Sequence, residues 1–254
     1  LDQEPITEGA LLSLDQSSQE VIAMVGGRSF EKSQFNRTLQ AVRQTGSSFK
    51  AVVYTAALDK TYTPSSPIMD APIVFEETKE DEEGQEEVKT WKPSNHSKSF
   101  GGDIIFRNAL VKSLNVPTVK IVEDLGVPYI SEYAKRLGIF SPLNMDFTIG
   151  LGSSGVTLFE MTKVFSEFGR GGKRTSPLIV KKVEDHMGKV LVESIKLEKR
   201  FEKEMAEIDE TFEEKRLAYL ESLKKQIADQ HQSASQPAPQ LAAQPVSTEL
   251  PRSP

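Results

Sequence analysis

The stretch "RQTGSSFKAVVYTAAL", Arg43 to Leu58, decides how the rest of the chain is read. A glycine is followed at once by Ser47 and, three residues on, by Lys50, and the run from Phe49 to Leu58 is mostly apolar. A helix this apolar has no face to give to water, so it is predicted to run through the centre of a core. A three-residue step on a helix returns to nearly the same face, which places the Ser47 and Lys50 side chains within hydrogen-bonding reach of each other. That pair suits a nucleophile and its base. A serine hydroxyl is weak at neutral pH, and an adjacent amine takes its proton only when that amine is itself partly neutral. Burial lowers a lysine pKa, and the positive end of the helix dipole acts in the same direction. The helix start also offers backbone N–H groups to an oxyanion, and Gly46 lets a substrate come close. Alone, S-x-x-K arises by chance in a chain with this many Ser and Lys residues. The apolar helix it opens argues against a merely solvent-facing pair.

A second element is "KSLNVPT", Lys112 to Thr118, with Ser113 and Asn115 at a break between two expected helices. One reading is a plain helix C-cap, with Asn115 tolerating a left-handed conformation. The other makes Ser113 a proton relay between Lys50 and a leaving amine, while the Asn115 amide holds a substrate amide.

Composition limits the alternatives. The chain has 254 residues, 37% of them hydrophobic, enough for one large domain or two small ones with a real core. A net charge of -6 and a pI near 5.3 argue against a nucleic-acid surface, which needs concentrated Lys and Arg. There is no cysteine, so disulfides, thiol nucleophiles and Cys-based metal sites are excluded. His96, His186 and His231 show no ligand spacing, and neither a metal nor a cofactor is expected. No apolar run approaches a length of about 20 residues that spans a bilayer, and no leader is evident. The start at Leu1, in what reads as the approach to a strand, suggests an excerpt.

Ala10–Leu14 and Val21–Val25 flank a polar turn and predict a hairpin. The acidic run from Glu76 to Lys89 reads as a solvated loop insertion, because such charge repels itself and buries nothing. Asp103 is expected to N-cap a helix ending near "SLNVPT", with Pro117 in the first turn of the next. Helices over Pro117–Leu125 and Val127–Leu137 should stop at Gly126 and Gly138. "TLFE", Thr157 to Glu160, is a capping box that starts a helix ending at Gly169. A second small hairpin should turn at Asp185 to Gly188. From Ser194 to His231, Phe201, Met205, Ile208, Phe212, Tyr219 and Leu223 recur at helical spacing among Glu, Lys and Arg, which predicts an amphipathic helix able to take a partner helix. Residues 232–254 are Pro-, Gln- and Ala-rich and read as disordered. "NRT" at Asn36 and "NHS" at Asn95 match a glycosylation sequon and are read as coincidence.

S-x-x-K followed by a Ser-x-Asn break resembles the penicillin-binding proteins, closest to the transpeptidase domain of bifunctional class A members. "ALLSLD", "VIAMVGGR", "FNR", "RQTGSSFK", "VYTAALD", "YTP", "DAPI", "WKPSN", "ALVKSLNVPTV", "LGSSGVTLFEMT" and "KVED" look like that family, in the same order, over about Gly9 to Val192. The resemblance implies a serine D,D-peptidase or β-lactamase-like α+β fold over residues 1–193, an antiparallel sheet packed on helices plus an all-α region. It implies acyl transfer on peptidoglycan stem peptides at the extracytoplasmic face of a bacterial membrane. Ser47 would be the nucleophile, Lys50 its base, Ser113 the proton shuttle and Asn115 the substrate holder. β-Lactams would acylate the same serine. Gly152 to Gly155 would have a packing role.

One family motif is not found. K-T-G and K-S-G occur nowhere, and "KSFG" from Lys98 and "GKRT" from Gly172 lie on the wrong segments. The family's upstream glycosyltransferase domain and membrane anchor are not seen either, so the chain reads as an incomplete piece of such a domain. The resulting expectation is an unpaired sheet edge, exposed apolar surface and poor stability of the isolated piece. Two other readings stay open at this point: a D,D-carboxypeptidase or β-lactamase-type serine hydrolase, and an inactive scaffold that binds partners through the Ser194–His231 helix.

Overall fold

A computed structural model describes residues 5–80, 86–196 and 201–234. The elements in chain order begin with β1 (Leu11–Leu14), β2 (Val21–Val25), α1 (Arg37–Gln40) and β3 (Val42–Gln44). A 3-10 turn over Gly46–Phe49 leads into α2 (Lys50–Leu58), followed by β4 (Pro67–Asp70), β5 (Phe75–Glu80), β6 (Glu86–Trp91) and β7 (Gly102–Ile105). Then come α3 (Phe106–Val111), α4 (Asn115–Leu125), α5 (Val127–Arg136), a 3-10 turn at Phe147–Leu151, β8 (Gly155–Thr157) and α6 (Leu158–Gly169). The strands β9 (Leu178–Val180), β10 (Val183–Glu184), β11 (Val190–Val192) and β12 (Ile195–Lys196) precede α7 (Glu202–Ala234). By compactness the chain divides into residues 1–205 and 206–254.

In the first unit α2 is the central helix. Val52, Val53, Ala56 and Ala57 are fully buried, and Tyr54 nearly so. They pack with Ile121 and Val122 of α4, Ile130 and Ala134 of α5, Ile149, and Val164 of α6. Each fully buried Val, Leu or Ile contributes on the order of 1.5–3 kcal/mol over leaving it in water, so Val52 and Val53 of α2 together with Val116, Val119, Ile121 and Val122 of α4 form a main stabilising contact of the core. Tyr54 keeps its hydroxyl 3.4 Å from Thr118 Oγ1, and burial pushes its phenol up to about 12.

Local signals hold well. β1 and β2 form the antiparallel hairpin, and β10 with β11 form the second. Thr157 and Glu160 make both bonds of the capping box, and α6 ends at Gly169. The Glu160 carboxylate also accepts the Phe140 and Ser141 N–H groups and the Ser141 hydroxyl. Burial alone would raise its pKa, but the hydrogen bonds from Ser141 and Thr157 outweigh that and lower it. Pro117 sits in the first turn of α4, and Gly126 closes that helix.

Long-range pairing changes three expectations. Asp103 caps no helix, because Gly102–Ile105 is taken up as a strand against Pro67–Asp70, and α3 begins only at Phe106. The acidic insertion is not an open loop: its ends pair as a β5–β6 hairpin, closed by Phe75 stacked on Trp91 at 5.5 Å between ring centroids. Ile195–Lys196 pairs with β9, so the terminal helix starts eight residues later than Ser194, at Glu202. The first hairpin packs through β1 on α6.

Every sheet among the described residues has two strands, and such ribbons are marginal unless packed on helices. Ile22 of β2, Val42 of β3, Ile179 of β9 and Leu191 of β11 are exposed. No described helix is long and apolar enough to cross a membrane. Of residues 232–254, expected to be disordered, Gln232–Ala234 continue α7 and the rest lie outside the described residues.

Candidate active site

The turn before α2 exists because two glycines permit it. Gly46 has a φ of +55° and donates its N–H to the Gly152 carbonyl at 3.1 Å. Gly152 has a φ of +71°, and a Cβ there would come within 2.1 Å of the Gly46 oxygen. The Gly152–Gly155 loop therefore has the packing role expected of it, holding the turn that presents Ser47. Nothing lies within 4 Å of a Cβ built on Gly46, so the approach to Ser47 is open.

Lys50 begins α2 and is 1% exposed. Its ammonium donates to the Ser113 carbonyl at 2.7 Å, the Asn115 side-chain oxygen at 2.7 Å and the Ser113 hydroxyl at 3.2 Å. All three protons of a charged lysine are thus used. Desolvation by burial brings its pKa down from 10.5 to about 8. The two carbonyl oxygens accept only, so they hold the two protons of a neutral amine as well. The third and longest contact is to a hydroxyl, and there the lone pair of the neutral amine can accept.

Ser113 sits between α3 and α4 with a φ of +52°. A non-glycine residue there stores backbone strain of order 1–3 kcal/mol, a cost that clusters at functional sites. The left-handed residue of this break is therefore Ser113, while Asn115 is the first residue of α4 rather than a C-cap.

Ser47 departs from the expected geometry. It is exposed and lies in the 3-10 turn, and among the described residues its hydroxyl makes no hydrogen bond. Residues i and i+3 do eclipse in a 3-10 turn, but the Lys50 protons are already directed to Ser113 and Asn115. Two N–H groups of the turn are also occupied, that of Gly46 by Gly152 and that of Ser48 by the Thr45 carbonyl at 3.4 Å. The structure brings Lys50, Ser113 and Asn115 together and leaves Ser47 at the mouth of the cluster's own turn.

Sequence reasoning missed two residues behind this cluster. Asn95 is 2% exposed, and its side-chain oxygen accepts the N–H groups of Asn115 at 3.0 Å and Val116 at 3.2 Å. It therefore satisfies the orphan donors at the start of α4 from outside the helix. Its amide nitrogen donates to both carboxylate oxygens of the buried Asp70, at 2.8 and 3.0 Å, and to the Ser99 carbonyl at 3.0 Å. Asp70 also accepts the Gly101 N–H at 2.8 Å. The Asn115 amide nitrogen is held by the Ser94 carbonyl at 2.9 Å. The strings "DAPI" and "WKPSN" contain both residues, yet nothing in their spacing says that they meet. Of the two residues in chance sequon matches, Asn95 is buried and Asn36 caps α1. Among the described residues no group of His, Cys, Asp and Glu is placed to hold a metal ion.

Ser47 thus stands exposed on the turn that leads into α2, and three residues on the buried Lys50 faces the Ser113–Asn115 break. Residues 9–216 match the penicillin-binding protein transpeptidase domain, and the chain belongs to that family. It is 37% identical over 193 residues to penicillin-binding protein 1A of Pseudomonas aeruginosa, covering 76% of this chain and 23% of that protein. The corresponding protein of Neisseria lactamica is 37% identical over 190 residues, with 74% of this chain and 23% of the relative covered. The crystal structure of penicillin-binding protein 1A from Haemophilus influenzae aligns with a TM-score of 0.66 at 31% identity, over 76% of this chain and 28% of that one. PonA1 of Mycobacterium tuberculosis, solved in complex with penicillin V, shares the fold with a TM-score of 0.61 at 22% identity, over 76% and 51% of the two chains. The α+β, serine-peptidase-like fold is the one expected from the sequence. The chain spans about a quarter of the length of the curated relatives it matches.

Proposed function

We propose that this chain carries the nucleophile, base and proton relay of a peptidoglycan D,D-transpeptidase working at the extracytoplasmic face of a bacterial membrane. The observation that carries the reading is Lys50, buried beside Ser113 and Asn115 with its pKa brought down to about 8. At pH 7 such a lysine is neutral in about a tenth of molecules, which is enough for a base that is regenerated in every cycle.

In this reading Ser47 Oγ attacks the carbonyl of a terminal D-Ala-D-Ala bond and gives its proton to neutral Lys50. The C–N bond then breaks, and the departing D-Ala amine takes a proton delivered from Lys50 through the Ser113 hydroxyl. An acyl-Ser47 ester remains. The amine of a neighbouring stem peptide attacks it, losing its proton back along the same path, and the cross-link forms as Ser47 is released. Asn115 holds the peptide amide with the part of its side chain not committed to Lys50 and Ser94. A β-lactam follows the first half only, because its leaving nitrogen stays tethered to the acyl group.

Incubation with a fluorescent penicillin followed by intact-mass analysis tests this. A covalent adduct on Ser47 that disappears in Ser47→Ala is expected. If the chain joined to a K-T-G-bearing strand still takes up no penicillin, the reading is wrong.

A further inference from the structure

The apolar stripe of α7 has a symmetry that the active site does not explain. At about 100° per residue, Met205, Ile208, Phe212, Tyr219, Leu223 and Ile227 share one arc roughly 100° wide. Their spacing is nearly palindromic about the 215–216 pair. Reading the segment backwards puts Leu223 where Ile208 stood and Tyr219 where Phe212 stood, with Ile227 one residue from the position of Met205. Of these six, Tyr219 and Ile227 are exposed, at 63% and 53%, and Met205, Ile208, Phe212 and Leu223 are half-buried.

Charge follows the same division with opposite sign. Between residues 203 and 214 there are six acids, Glu204, Glu207, Asp209, Glu210, Glu213 and Glu214, against Lys203 alone. Between 215 and 227 there are four bases, Lys215, Arg216, Lys224 and Lys225, against Glu221 alone. At the midpoint the Arg216 guanidinium meets Glu213 at 3.0 Å, so the centre is close to neutral.

We propose that residues 203–227 pair antiparallel with the same segment of a second copy of this chain. Ile208 then faces Leu223 of the second copy, Phe212 faces its Tyr219, and each acidic half lies along a basic half. The parallel arrangement sets acid against acid and base against base. An amphipathic helix draws most of its stability from covering its apolar face, and along these roughly 35 Å that burial gives the pairing its driving force. The charges then select the orientation, as flanking charges do in coiled coils. Nothing in this pairing depends on the acyl-transfer reading.

The absence of cysteine gives a clean test. Single variants Ile208→Cys and Leu223→Cys of the full chain are mixed under mild oxidation. Disulfide-linked dimers from the mixture, at several times the yield of either variant alone, are expected. Cross-linking of Ile208→Cys to itself at equal or higher yield overturns the antiparallel orientation. In sedimentation, the exposed double variant Lys224→Glu, Lys225→Glu should dissociate at least tenfold more readily than the parent. A parent chain that stays monomeric at tens of micromolar, with α7 folded by circular dichroism, overturns the pairing itself.

Discussion

Asn95 Oδ1 accepts the backbone N–H of Asn115 at 3.0 Å, and the amide on the other side of Asn95 is fixed by both oxygens of Asp70. The first turn of α4, and with it the acceptor that faces Lys50, thus hangs on the buried Asn95–Asp70 pair. Asn95→Ala leaves two helix N–H groups without their acceptor and a buried carboxylate short of a donor. The expected loss is about 2–4 kcal/mol in urea unfolding. Asp70→Ala combined with Asn95→Ala should cost clearly less than the sum of the two, because each single change already strands the other partner. Additive losses would show that the pair does not act as a unit.

Lys50 sets a pH dependence with a defined direction. With a pKa of about 8, its neutral fraction rises nearly tenfold per pH unit well below 8, more slowly as pH nears 8, and levels off above it. Penicillin acylation of Ser47 should therefore climb from pH 6 to 8 and flatten by about pH 9, and Lys50→Met should abolish the slope along with the reaction. Stability follows the same group. The unfolded chain keeps the Lys50 proton up to 10.5 while the folded chain releases it near 8, so between those values the unfolded state binds more protons and stability rises with pH. Relative to Lys50→Met, the gain across that window should be on the order of 3 kcal/mol. A flat difference curve would mean that the lysine is not desolvated as described.

Much of this was legible from local chemistry. The Thr157–Glu160 capping box, the glycines that stop α4 and α5, and the apolar run of α2 are each decided within a few residues of sequence. What spacing could not show is where a side chain goes once the chain has folded. Ser47 and Lys50 are expected within hydrogen-bonding reach of each other, yet Lys50 takes its partners 63 and 65 residues away, because a buried amine needs acceptors and the Ser113–Asn115 break supplies three. Asp103 carries the residue type of an N-cap, but pairing with Met69 in the β4–β7 ribbon overrides that preference. The charge of the Glu76–Lys89 segment argued for an open loop, and the Phe75–Trp91 stack at its base closed it into a hairpin.

Gly152 is the position where one methyl group should cost the most. A Cβ there would lie 2.1 Å from the Gly46 carbonyl oxygen and 2.5 Å from its nitrogen, both backbone atoms that cannot swing aside. The φ of +71° adds strain for any L side chain. Gly152→Ala should destabilise by at least about 2 kcal/mol and displace the turn that carries Ser47. Thr157→Ala, which removes only the α6 cap, should cost about 1 kcal/mol and leave Ser47 labelling intact. Equal loss of labelling in both would show that global stability, not the Gly46–Gly152 contact, governs the site.

Ser113 combines two roles that substitution can separate. Its carbonyl and its hydroxyl both face Lys50, and its backbone is held at a φ of +52°. Ser113→Ala and Ser113→Gly both remove the hydroxyl and keep the carbonyl, so neither can relay a proton to a leaving amine. Each should slow acylation by on the order of a hundredfold, the usual loss when one proton-transfer group is removed. They differ in the backbone, because alanine bears the left-handed strain and glycine does not. Ser113→Gly should therefore be the more stable of the two by about 1 kcal/mol while being equally slow. If acylation instead tracked stability, with the glycine variant fast and the alanine variant slow, the left-handed backbone rather than the hydroxyl would be what the reaction requires at this position.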